Sequence, residues 1–205
     1  DRAAVRQQVV LDPNQTLFLF VGRLDPEKRI DVLVTALAKL GRRDVQLAIA
    51  GKGAMDEALK RLIQKYGLQD QARLLGYLPE EKLIELLNSA DIFCMPSPQE
   101  LQSIATLEAL ACGLPVLVAN ARALPELAQQ GVNGFLFETD DADSLAKCMQ
   151  EMLKSPQRWP SMGEASLRFA QEHALDKTIE KYLEIYREAV KIHPPARNAK
   201  PENAS

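Results

Sequence analysis

Histidine is nearly absent from this sequence. Only His173 and His193 occur in 205 residues, and neither falls in a stretch that follows a strand, so a hydrolase triad has no base to build on. Cysteine is scarce and odd in number: Cys94, Cys112 and Cys148 lie far apart in apolar segments with no zinc-site spacing. They read as small buried hydrophobes in a reducing compartment, not as a disulfide frame or a metal site. No apolar run approaches the roughly 18 residues of a membrane span, and no signal pattern opens the chain, so a cytoplasmic location is expected. Neither a Walker loop nor a GxGxxG fingerprint occurs at the turns. Charge of one sign is also missing. A net charge of −3 excludes a chain built to coat nucleic acid or an anionic membrane, but leaves room for a local basic pocket that holds one or two phosphates. There is no internal repeat and no low-complexity block.

What is present is ordinary globular material, 46% hydrophobic and 26% charged. The opening Asp1-Arg2-Ala3 lacks a Met and reads as a cut boundary. Residues 1–16 are polar and predict a helical lead-in that ends at the turn Leu11-Asp12-Pro13-Asn14. Regularity then sets in. Short apolar or β-rich runs fall at Leu17–Val21, Val45–Ala50, Ala72–Leu75, Asp91–Met95, Pro115–Ala119 and Phe135–Phe137. Helix-period segments separate them: Ile30 to Leu40, Ala58 to Tyr66, Leu83 to Leu87 and Ser103 to Cys112. Three more helices are predicted at Asp141–Leu153, Arg158–Glu172 and Asp176–Lys191. Strands without alternation are buried on both faces, and six of them alternating with helices predict a doubly wound parallel α/β sheet, with extra helices at the C-terminal end. Residues 193–205 carry three prolines and no periodicity, and are expected to be disordered.

In such sheets ligands bind at the carboxyl ends of the strands, so the residues just after each strand matter most. The first run is followed by Gly22-Arg23-Leu24-Asp25-Pro26-Glu27-Lys28, the second by Gly51-Lys52-Gly53, the third by Gly76-Tyr77-Leu78-Pro79, and the fourth by Pro96 to Ser103 with Glu100 inside it. Glycine at a strand exit allows close backbone approach, and a helix N-terminus beyond it suits an anion. Asp25 reads as an N-cap with Pro26 at the first helical position, which puts the Lys28 cation in a first turn where a bound phosphate would suit it. The alternative is that Lys28 extends to solvent and that Arg23 pairs with Asp25 or Glu27. Glu108 stands in a helix whose neighbours from Ile104 to Ala111 are apolar apart from Thr106. It is therefore expected to be buried and to need a partner, either an ion pair or a ligand.

Gly22-Arg23-Leu24 with Lys28 five places after Arg23, then Glu100 and Glu108 ahead of Ala109-Leu110-Ala111-Cys112-Gly113-Leu114-Pro115-Val116, resemble the C-terminal donor-binding domain of family 4 retaining glycosyltransferases, which have the two-domain GT-B fold. The Val132-Asn133-Gly134-Phe135-Leu136 turn is similar to theirs as well, and the likeness runs from about Leu17 to Val190. The resemblance implies a six-stranded Rossmann-like domain over residues 17–192, with residues 1–16 as the linker from a missing N-terminal domain that binds the acceptor. It implies transfer of a sugar from a UDP- or GDP-sugar with retention, with no cofactor and no metal, and allows the longer protein to associate with a membrane surface. By the same resemblance Arg23 and Lys28 hold the diphosphate, Glu100 contacts the sugar and Glu108 binds the ribose. Gly22, Gly51, Gly53, Gly76, Tyr77 and Leu78 would line the donor site from the first three strand exits, and Gln102, Ser103 and Ile104 from the fourth. One departure stands out: Leu101-Gln102-Ser103 replaces the usual Gly-aromatic-Gly run. The rival readings are a GT-B sugar-nucleotide epimerase, a phosphorylase, for which no lysine is singled out to hold pyridoxal phosphate, and a non-catalytic nucleotide-binding module.

Overall fold

The computed structural model describes residues 2–9, 12 and 14–192. Leu11 and Pro13 of the expected turn, and the tail 193–205, lie outside the described residues. The strands are β1 (Thr16–Val21), β2 (Val45–Ala50), β3 (Ala72–Gly76), β4 (Ile92–Met95), β5 (Val116–Ala119) and β6 (Gly134–Phe137). The α-helices are α1 (Arg2–Val9), α2 (Ile30–Leu40), α3 (Asp56–Lys65), α4 (Glu80–Ser89), α5 (Ile104–Ala111), α6 (Leu124–Leu127), α7 (Ala142–Lys154), α8 (Trp159–Glu172) and α9 (Leu175–Ile192). The chain divides into two compact units, one reaching to Gln171 and the other starting at Glu172.

All six strands run parallel in the order β3-β2-β1-β4-β5-β6, with helices on both faces. Leu17, Phe18, Leu19 and Phe20 of β1 are all buried, as are all four residues of β4 and of β5, which is why these runs lack a polar alternate. The order reverses between β1 and β4, and in open sheets of this kind ligands favour the carboxyl ends of the strands around such a reversal. At their other ends the same strands are tied to the lead-in. Arg6 of α1 donates from Nε to the Ser89 carbonyl at 2.8 Å and pairs with Asp91, whose carboxylate also accepts the Leu17 amide at 2.8 Å. In the second unit, α9 has no buried residue, and Leu175, Ile179, Tyr182 and Tyr186 along it are exposed.

Three local expectations are corrected. The helix after β1 does not begin at Pro26: Pro26–Lys28 is a single 3-10 turn, Arg29 adopts a left-handed φ of 51°, and α2 starts at Ile30. Asp25 precedes that turn but makes no capping bond with its side chain: one carboxylate oxygen pairs with Arg23 and the other accepts from the Ala54 amide at 3.4 Å. Helix α5 is not enclosed all round. Thr106, Ala109 and Leu110 face the core, whereas Ile104 is 64% exposed and Glu108 is exposed with it. Apolar residues on a short helix tell what the helix can bury, not how many sides the domain covers. The short helix α6 and the 3-10 turn Pro156–Arg158 were not anticipated, since four or three residues carry no readable period.

Candidate ligand crevice

The loops after β1 and β2 continue each other beyond the sheet. Gly22 donates to the Ala50 carbonyl at 3.0 Å, Leu24 to Lys52 at 3.0 Å, and Met55 back to Leu24 at 2.8 Å, while Gly51 donates to Gly76 at 2.8 Å. This knitting demands glycine at position 51. A Cβ there would sit 1.8 Å from the Gly22 carbonyl oxygen, and its φ of +143° is one that other residues rarely adopt. Gly53 is equally confined, with the Leu24 backbone 2.4 Å from where a Cβ would lie. The rim is therefore a stiff main-chain surface.

Between these strand ends and α4 lies a pocket of about 460 Å³, lined by Val21, Gly22, Arg23, Ala50, Gly51, Lys52, Tyr77, Leu78 and Leu83. Its size falls in the range of small-molecule sites. Five of the residues singled out by sequence meet here: Gly22, Arg23, Gly51, Tyr77 and Leu78. Gly76 adjoins them at the end of β3, close to the Lys52 side chain. Arg23 is largely exposed and bonds Asp25 at 2.5 Å and Glu27 at 3.0 Å, the pairing that sequence alone left open. Val21, Ala50, Lys52 and Leu83 are lining residues outside the predicted set. Lys52 follows a strand directly, which is a readable signal, but Leu83 looked only like one apolar position of a helix.

The second group gathers over the β1–β4 reversal. Lys28, at the end of its 3-10 turn, donates from Nζ to Oε1 of Glu100 at 2.5 Å, and both side chains are largely shielded, 19% and 10% exposed. Ser97, fully buried in the same loop as Glu100, donates its hydroxyl to the Glu27 carbonyl at 3.3 Å. Residues 72 positions apart are thus fastened together where the topology predicts a ligand.

Gln102 is exposed, Leu101 is 83% exposed, and Ser103 is buried with its hydroxyl hydrogen-bonded to Thr106 at 2.8 Å. Bulkier residues in place of a glycine run are accommodated by turning two side chains out and one in. Glu108 is on the open side of α5. Partial desolvation pushes its pKa up, helped by the charge of Glu80 at the start of α4, the helix that also supplies Leu83 to the pocket. The Asn133 side chain closes its turn, accepting from Gln129 N–H at 2.7 Å and donating to the Leu127 carbonyl at 3.0 Å, which is a structural role. Among the described residues, no group of three or more His, Cys, Asp or Glu is placed to hold a metal ion, and no helix is long and apolar enough to cross a membrane.

A six-stranded parallel sheet whose strand order reverses between β1 and β4, with helices on both faces and a pocket at the carboxyl ends of β1, β2 and β3, defines a Rossmann-like domain. Residues 1–169 match the family model described as glycosyl transferases group 1. The chain belongs to that family, whose architecture is GT-B. Among its relatives, D-inositol 3-phosphate glycosyltransferase of Rhodococcus jostii is 31% identical over 198 residues, covering 92% of this chain and 44% of that protein. The enzyme of the same name from a Mycobacterium species is 34% identical over 180 residues, covering 85% and 39%. Among solved structures, sucrose-phosphate synthase from Thermosynechococcus elongatus superposes with a TM-score of 0.80 at 27% identity, covering 93% of this chain and 49% of that one. HepE from Anabaena in complex with UDP-glucose gives 0.81 at 25%, covering 92% and 52%. The chain thus spans less than half the length of the curated relatives it matches.

Proposed function

We propose that this chain is the donor-binding half of a retaining glycosyltransferase of family 4. It would hold a UDP- or GDP-sugar while a preceding domain presents the acceptor. The observation that carries the reading is the pairing of Lys28 with Glu100 over the β1–β4 reversal, beside a pocket walled by Arg23 and Lys52. A nucleoside diphosphate sugar has the matching order of groups: a base and ribose for the mostly apolar pocket, a diphosphate for the cations, and sugar hydroxyls for a carboxylate. The names of the relatives support transferase chemistry, and the neighbour solved with UDP-glucose supports a uridine donor.

Bond cleavage leaves charge on the departing diphosphate. Arg23, Lys28 and the N-terminal end of α5 stabilise that charge in place of a divalent cation. Glu100 orients the sugar by accepting from its hydroxyls, and the departing phosphate oxygen takes the acceptor proton. Glu108, on the open side of α5, accepts from the ribose hydroxyls.

Calorimetric titration with UDP, GDP, ADP and their sugar conjugates tests the reading and fixes the base. Arg23→Ala is expected to weaken diphosphate binding by about 1.5 kcal/mol while leaving nucleoside binding nearly unchanged. Equal losses for the two ligands, or no binding of any nucleoside diphosphate, overturn it.

A further inference from the structure

Lys28 and Glu100 are held from behind. The Lys28 amide donates to Asp25 at 3.0 Å, and the Glu100 carbonyl accepts from Ala123 at 3.2 Å, so the backbone of each residue is anchored to its own neighbourhood. Only the side chains are left to choose partners. With 19% and 10% of their surfaces exposed, neither ion has enough water around it to replace the other, and a shielded charge that loses its partner is costly.

We infer that this ion pair is an exchange latch that makes the two ends of one donor bind cooperatively, an inference that rests on the function proposed above. An anion that draws the Lys28 ammonium away strands the Glu100 carboxylate unless hydroxyl donors arrive with it. Hydroxyls that engage Glu100 strand Lys28 unless an anion arrives with them. A molecule carrying both, a diphosphate joined to a sugar, satisfies the two ions in one step. The bare diphosphate must instead compete with Glu100 for Lys28. Because linkage is reciprocal, the same coupling raises the grip on the diphosphate when the sugar is attached. Glu100 is thereby a discriminator between loaded donor and spent nucleotide, in addition to a sugar contact.

The test is a double-mutant cycle in ligand affinity, with Glu100→Gln as a variant of the same shape and Lys28→Met as its partner, titrated with UDP and UDP-glucose and in parallel with GDP and GDP-mannose. Glu100→Gln is expected to bind the bare diphosphate about fivefold more tightly than wild type, because Lys28 is released, and to lose the preference for the sugar conjugate. In the Lys28→Met background the tightening should vanish. Glu100→Gln with unchanged or weaker diphosphate binding overturns the latch, and so does a tightening that persists without Lys28, which would be plain repulsion between carboxylate and ligand. If wild type binds no nucleoside diphosphate at all, the proposed function fails instead. A melting-temperature change without a change in the cycle marks a purely structural pair and also overturns the inference. Lys28→Met needs no Glu100 variant to fold: it alone is expected to weaken the diphosphate more than the nucleoside, and failure to do so counts against the latch.

Discussion

Glu108 illustrates what a single carboxylate contributes when its surroundings disfavour charge. Its pKa is raised in the folded protein, mainly by desolvation and further by Glu80, so the folded state binds that proton more tightly than the unfolded state does. The ionised form therefore costs stability at every pH above the raised value, and the cost disappears below the ordinary glutamate range of about 4. Glu108→Gln is expected to melt at or slightly above the wild-type temperature at neutral pH, with the difference fading as the pH falls through that range. The same substitution should weaken nucleoside diphosphate binding, since ribose hydroxyls lose a charged acceptor. Melting curves at both ends of the range, with a titration at neutral pH, check the two halves. A large drop in melting temperature with normal binding would mark a structural residue. The sequence led to Glu108 through an expected full burial, whereas the residue stands on the open side of α5 and is only partly desolvated.

At the level of elements, the knitted exits of β1 and β2 make the sharpest demand. Gly51→Ala would drive a methyl group into the Gly22 carbonyl at a φ hostile to alanine, and is expected to cost about 3 kcal/mol in urea unfolding and to abolish ligand heats. The strands were legible because their burial on both faces leaves unbroken apolar runs: β2 spans Val45–Ala50 as read, and β1 and β4 differ from the reading by one residue at one end. The 3-10 turn at Pro26–Lys28 was not legible. Proline at a first helical position serves a 3-10 turn as well as an α-helix, and only the left-handed Arg29, held by Asp31 and Asp140, decides where α2 starts. The pairing of Lys28 with Glu100 was equally hidden, because nothing local links residues 72 positions apart. Each was singled out by its place just after a strand and given a role by the family resemblance, and their meeting came from topology.

For the whole molecule, the proposed division of labour separates binding from chemistry. These 205 residues are expected to bind the donor and to transfer nothing, because transfer requires an acceptor held in register with the sugar. A radiolabelled-sugar transfer assay on the purified chain, run beside a longer protein that contains it, reads this directly, and clear turnover by the chain alone would refute it. The parallel sheet was legible in the alternation of strands and helices, while its strand order needed the structure. The bond from Arg6 to Asp91, with the Leu17 amide on the same carboxylate, has a mechanical meaning. Tension entering through α1 is delivered to the root of the two central strands, at the end of the sheet away from the crevice. To extract β1, which lies between β2 and β4, such a load must shear two ladders at once instead of peeling an edge, so a pull on this side of the domain leaves the rim around Gly51 unloaded until the sheet itself gives way.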